Sequence, residues 1–207
     1  MRRDFIKKPE TNHYFSRSPM SKPRFGLIRA HLRGGFFEFL TASGVFSKTR
    51  IDLGTRLLIE SMVFPENGCM LDLGCGYGAV GIVAAKLNPH THVVMVDVNE
   101  RAIRLAKKNA KINGVVNVEF KRGFLYEPVS NMHFETILTN PPVSAGMKII
   151  HPMIEQAPQH MAKNGTFQMV VRSKIGGKPL MQRMINTFGN AEILARQSGY
   201  RVLISKT

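Results

Sequence analysis

The chain has 207 residues, 43% of them hydrophobic and 21% charged, and its 29 Lys and Arg against 14 Asp and Glu give a formal net charge of +15. That length supports one domain with a proper core, and that charge attracts polyanions. No run approaches the roughly 18 apolar residues of a membrane-spanning helix, the start "MRRDFIKKPETNHYF" lacks the apolar segment of a secretory leader, and Cys69 and Cys75 fit neither a disulfide framework nor a zinc site. A cytoplasmic, metal-free protein is expected.

Along the chain, residues 1–33 concentrate the charge in nine cations: Arg2, Arg3, Lys7, Lys8, Arg17, Lys22, Arg24, Arg29 and Arg33, against Asp4 and Glu10. Residues 1–24, broken by Pro9, Pro19 and Pro23, read as an extended basic arm. "FGLIRAHLRGGFFEFLT" reads as a β-hairpin about Gly34-Gly35. "IDLGTRLLIESMVF" has helical spacing, with Leu53, Leu57, Leu58 and Met62 on one face. From residue 68, strands and helices alternate: strand "CMLDLG", helix "YGAVGIVAAKLNP", strand "THVVMVDVN", helix "ERAIRLAKKNAKINGV", then strands "NVEFKRG" and "FETILTN". "MKIIHPMIEQAPQHMAKNG" reads as largely helical with Pro152 in its first turn, followed by strand "TFQMVVRS" and helix "GGKPLMQRMINTFGN". Two last strands joined at Ser198-Gly199 predict an antiparallel hairpin. The alternation predicts an α/β fold with a mostly parallel sheet.

The stretch "LDLGCGYGAVG" sets Gly74, Gly76 and Gly78 between a strand and a helix. Glycine there lets the backbone approach a ligand closely. Asp72 precedes the loop, and Asp97 ends the next strand, 23 residues beyond Gly74, where a carboxylate accepts from ribose hydroxyls. Ala79 breaks the GxGxxG spacing of dinucleotide sites, and an acidic neighbour suits a sulfonium cation better than a pyrophosphate. On these residues the chain, over roughly residues 50–207, resembles the class I S-adenosylmethionine-dependent methyltransferases. The resemblance implies a Rossmann-like, seven-stranded, mostly parallel sheet with an antiparallel last strand. It also implies that Asp72, Gly74, Gly76 and Gly78 cradle the methionine part of the cofactor and that Asp97 holds the ribose. "FKRGFLYEP" lacks the acidic residue many relatives place near the adenine, and Phe124 stands there instead, either against the adenine ring or as ordinary core.

"TNPPV" follows the fourth strand of this series. Proline cannot sit in a central strand, so the chain must stop or turn at the sheet's carboxyl-end lip, where α/β folds bind ligands. In such methyltransferases an Asn-Pro-Pro motif marks enzymes acting on planar nitrogens. The Asn140 side-chain oxygen and the Pro141 carbonyl would accept both N–H groups of an amine whose lone pair is delocalised, with Pro142 stiffening the turn. Val143 replaces the usual aromatic, which counts against adenine-N6 or glutamine and is compatible with guanine.

"HYFSRSP", "GVFSKTRIDLGTRLLIE" and the long segment from "NPPVSAG" to "SGYRVL" are similar to the small-subunit ribosomal RNA guanine-N2 methyltransferase family, in particular its short, single-domain, archaeal-type members. That resemblance implies a cofactor-pocket border containing Phe46, Ser47, Asp52 and Thr55. It implies RNA, ribosomal or transfer, as partner, met by the arm cations and by Lys148, Arg172 and Lys174 near the clamp, with His151 a weaker candidate. Residues 1–45 then form an arm-and-hairpin extension and residues 46–207 the methyltransferase domain. The rival expectations are a tRNA guanine methyltransferase (N2 or N7), a DNA adenine-N6 or protein glutamine-N5 methyltransferase, and a non-catalytic RNA-binding protein.

Overall fold

The computed structural model describes residues 24–45, 47, 49–141 and 146–207. Strands β1 (Phe25–Leu32) and β2 (Gly35–Ala42) form a separate two-stranded antiparallel hairpin. The turn sits one residue earlier than the expected Gly-Gly pair. Arg33 and Gly34 both have positive φ, 45° and 81°, as a two-residue hairpin turn of the primed type requires.

Next come α1 (Leu53–Ser61), β3 (Gly68–Leu73), α2 (Ala79–Leu87), β4 (Thr91–Asp97), α3 (Glu100–Ile112), β5 (Val118–Arg122) and β6 (Phe134–Thr139). The remainder is α4 (Met147–Glu155), β7 (Met161–Arg172), α5 (Gly177–Phe188), β8 (Glu192–Gln197) and β9 (Tyr200–Lys206). The strands make a seven-stranded sheet in the order β5-β4-β3-β6-β7-β9-β8, and only β9 runs antiparallel to its neighbours. The last strand is thus antiparallel as expected, and it forms the expected edge hairpin with β8, lying between β7 and β8. This is a Rossmann-like α/β fold.

Each face of the sheet has its own core. Met70, Val93, Met95, Val170 and Val202 meet α1, α2 and α3 on one side, and Leu71, Val94, Ile137, Phe167 and Leu203 meet α4 and α5 on the other. Coverage on both faces is why β3 and β4 read as nearly continuous apolar runs. The inner face of the hairpin, through Ile28, Leu32, Phe37 and Phe39, belongs to the first of these cores. Two amides of α3 complete its docking. Asn109 accepts from the Leu40 N–H (2.7 Å) and donates to the Leu40 carbonyl (2.9 Å), and Asn113 does the same for Glu38 (3.1 and 2.8 Å). The free edge of β2 thereby finds partners on a helix instead of another strand.

Two helical expectations change. Pro152 is the sixth residue of α4, past its first turn, where it removes an intrahelical bond. The helix also stops well before Gly165. Pro158 allows only a 3-10 turn over Ala157–His160, and β7 begins at Met161.

Candidate active site

The order of strands reverses between β3 and β6, the place where open α/β sheets form a crevice beyond their carboxyl ends. Both motifs sit at that lip: the glycine loop after β3, and Asn140 after β6. The Thr139 hydroxyl donates to the Leu73 carbonyl at 2.9 Å and fixes the two strand ends together.

Backbone geometry builds the glycine loop. Gly74, Gly76 and Gly78 have φ of 76°, 58° and 90°, which favours residues without a Cβ. The Val96 carbonyl of β4 accepts from Gly74 (2.8 Å) and Cys75 (3.0 Å). At Gly78 a Cβ would lie 2.9 Å from Ile82 and 3.1 Å from Ala106, so the glycine also lets α2 approach α3.

Two buried carboxylates tie this loop down. Asp72 accepts from the Gly81 N–H at 2.8 Å, so a strand residue satisfies a free donor in the first turn of α2. Burial, opposed by that N–H and reinforced by Asp97, raises the Asp72 carboxyl to about 7. Asp97 accepts from Gly76 through one oxygen and from Asn99 through the other, both at 2.8 Å.

Beside Asp97 lies a cleft walled by Leu73, Val96, Val98, Leu125 and Met153, with Gly74, Gly123 and Phe124 at its margin. Phe124 is 37% exposed, so its ring lines the opening and is not core. An apolar slot with one carboxylate at its lip fits a nucleoside. Asp72, the acid expected beside a cationic group, directly precedes Leu73 and Gly74 of this cleft. S-adenosylmethionine has both parts.

The second motif is built from distant segments. Asp52 caps α1, accepting from Gly54 (2.9 Å) and Thr55 (3.2 Å). The Asn140 amide nitrogen donates to the Thr55 hydroxyl at 2.8 Å and approaches the same Asp52 oxygen at 3.5 Å. A carboxylate only accepts, which orients the amide: its N–H groups face α1, and its carbonyl oxygen is left for another partner. Asp52 and Thr55, expected at the border of the cofactor pocket, are thus in contact with Asn140.

A second cavity opens here between Asn140, Pro141, Ile150, Val170, Arg172 and Tyr200. Tyr200 and Arg172 are directly opposed on β9 and β7. The Arg172 Nε donates to the Tyr200 hydroxyl at 2.9 Å, and the ring packs against Gly54, where a Cβ would lie 2.9 Å away. Nothing near "SGYRV" in sequence announced Tyr200 as a pocket residue. Its aromatic ring reaches the site only because β9 is inserted beside β7.

Of the other expected site residues, Lys148, Arg172 and Lys174 are exposed around this rim and Arg24 is exposed at the root of the hairpin. Arg2, Arg3, Lys7, Lys8, Arg17, Lys22, Phe46, Pro142 and Val143 lie outside the described residues. Among the described residues no three His, Cys, Asp or Glu side chains gather to hold a metal, and no helix is long and apolar enough to cross a membrane.

Residues 37–204 match the methyltransferase small domain family. The chain belongs to that family. It is 36% identical over 198 residues to the uncharacterised protein YbxB of Bacillus subtilis, covering 95% of this chain and 98% of that one. It is 32% identical over 186 residues to ribosomal RNA small subunit methyltransferase C of Aeromonas hydrophila, covering 88% of this chain but 53% of that protein. The chain therefore spans about half the length of that relative. A solved structure of the Thermus thermophilus 16S rRNA N2 G1207 methyltransferase, in complex with AdoMet and guanosine, superposes with a TM-score of 0.79 at 24% identity, covering 91% of this chain and 52% of that one. This last likeness is one of fold.

Proposed function

We propose that this methyltransferase-family protein uses S-adenosylmethionine to methylate a guanine nitrogen in RNA, namely N2 of a guanosine in small-subunit rRNA. The observation that carries the reading is the orientation of Asn140: its N–H donates to the Thr55 hydroxyl and faces the carboxylate of the cap Asp52, so its oxygen is presented as an acceptor beside the Pro141 backbone. The Aeromonas relative is named for small-subunit rRNA, and the Thermus protein for N2 of a guanosine, which supports the substrate class.

When bound, the cofactor supplies an electrophilic methyl group on a sulfonium. The chain's own residues do the rest. The glycine loop and Asp72 surround the cationic end, Asp97 accepts from the ribose, and Phe124 covers the base. Asn140 and Pro141 accept the two N–H groups of the guanine amine. This orients the nitrogen and favours the pyramidal geometry in which its lone pair is available. Tyr200 supplies the aromatic wall that Val143 does not, and Arg172 stands at the mouth for phosphate or base. No strong base is required, because the amine becomes acidic once methylated and releases its proton to water.

The test is incubation with labelled S-adenosylmethionine and separated rRNA and tRNA, followed by nucleoside mass spectrometry. N2-methylguanosine in small-subunit rRNA is expected. Methyladenosine, label confined to tRNA, or label only in protein would overturn the assignment.

A further inference from the structure

The strongest charged surface outside the site is on α3. Five of its 13 residues are cations: Arg101, Arg104, Lys107, Lys108 and Lys111. Four of these, Arg104, Lys107, Lys108 and Lys111, are exposed and fall at i, i+3, i+4 and i+7, a single stripe on the helix. Like charges at these spacings repel and weaken a helix. Helix polarity accounts for Lys111 in the last turn but not for Lys107 and Lys108 in the middle.

Elsewhere among the described residues, unpaired surface cations such as Lys148, Lys163, Lys178 and Lys206 are scattered over separate elements, and others are paired. Arg29 pairs with Glu38, Arg56 with Glu60, Lys121 with Glu119 and Arg183 with Glu155. On the stripe only Arg104 has a carboxylate, Glu100, which it shares with Arg122. Among the described residues Lys107, Lys108 and Lys111 have no ion-pair partner.

The stripe also starts in the right place. Asn99, the N-cap of α3, bonds to Asp97 at the lip of the cofactor cleft. Arg101 donates to the Ser43 carbonyl at 2.6 Å, and Ser43 is bonded to Arg24, where the basic N-terminal sequence enters β1. Cofactor rim, arm root and stripe therefore meet at one corner. From Arg104 to Lys111 the helix rises about 10 Å. A duplex strand carries one phosphate about every 3.4 Å of axis, so the stripe is long enough to face about three.

We infer that the exposed face of α3 is a rail for the RNA backbone, distinct from the clamp, which holds the substrate's flank while its base sits beside Asn140. This rests on the reading of the protein as an RNA methyltransferase. The rail reads no base; it adds affinity through displaced counterions.

The test compares two triple variants of equal charge change, Lys107→Glu/Lys108→Glu/Lys111→Glu on the stripe and Lys163→Glu/Lys178→Glu/Lys206→Glu on exposed positions of β7, α5 and β9. The probe is a transcript of small-subunit rRNA, with binding measured across a salt series. Cofactor affinity by calorimetry and melting temperature serve as controls for folding. The stripe variant is expected to lose roughly tenfold or more in RNA affinity, with a salt slope shallower by roughly 2 to 3. Its cofactor affinity stays unchanged, and the second variant loses much less. Equal losses in both variants would mean that net charge alone matters, and no loss in the stripe variant would mean that RNA lies elsewhere; either overturns the rail while leaving the RNA reading intact. Wild-type protein that binds no RNA would remove both.

Discussion

The two halves of the site are built by different means. The loop of the proposed cofactor half is mostly local: three glycines, a carbonyl of the neighbouring strand and two buried carboxylates, all within Leu71–Asn99, with Phe124, Leu125 and Met153 closing the cleft. The proposed substrate half is assembled from side chains on four separate segments: Asp52 and Thr55 at the start of α1, Asn140 after β6, Arg172 at the end of β7 and Tyr200 at the start of β9. The Asn140–Thr55 bond joins residues 85 positions apart. A local backbone loop depends on conformation and so on glycine. A converging set of side chains depends on sheet order and can change partners without altering the fold. Binding and turnover are therefore expected to separate cleanly between the halves.

The largest expected effect is on the substrate half. Asn140→Ala should lower kcat by roughly 10² to 10³-fold, the cost of losing one preorganised partner of the reacting group, with cofactor affinity nearly intact by calorimetry. A collapse of cofactor binding would erase the distinction between the halves. Asp97→Ala is the mirror experiment. Losing a charged acceptor that also anchors Gly76 should weaken cofactor binding by roughly 10- to 100-fold, while turnover at saturating cofactor changes little.

Thr55→Val sharpens the comparison, since it keeps shape and removes only the acceptor that orients Asn140. A fall in kcat of roughly tenfold or less, one ordinary hydrogen bond, with unchanged KM and recovery in Thr55→Ser, is the expected result. Were cofactor affinity to fall instead, Thr55 would belong to the other half.

The smallest effect concerns Asp72. Its carboxyl is raised to about 7 by burial, so the folded protein holds a proton that the unfolded chain releases near pH 4. This group therefore makes the fold progressively less stable as pH rises from about 4 to about 7. Asp72→Asn keeps an acceptor for Gly81 and removes the buried charge. It should melt a few degrees above wild type at pH 8 and gain nothing at pH 4.

The same contrast explains what could be read from the sequence. The glycine loop was legible because its meaning is local: Gly74, Gly76 and Gly78 need positive φ, and Asp97 ends the next strand. The alternation of strands and helices was legible because buried parallel strands must be apolar throughout. The contact of Asp52 and Thr55 with Asn140 was not, because a cap on α1 meets the end of β6 only once the sheet is assembled. Tyr200 was hidden by the insertion of β9 next to β7. Met161–Gly165 read as a helix tail because its composition fits one, and pairing of Met161 with Phe134 on β6 decided otherwise.

The central claim is that Asn140 and Pro141 accept from the exocyclic amine of guanine. The most direct measurement is methyl transfer to an rRNA transcript in which inosine, which lacks that amine, replaces guanosine. The account predicts full incorporation into the guanosine transcript and none into the inosine one. Methylated inosine would mean that the reacting nitrogen is N7 or another ring position, and that the clamp does not hold the amine.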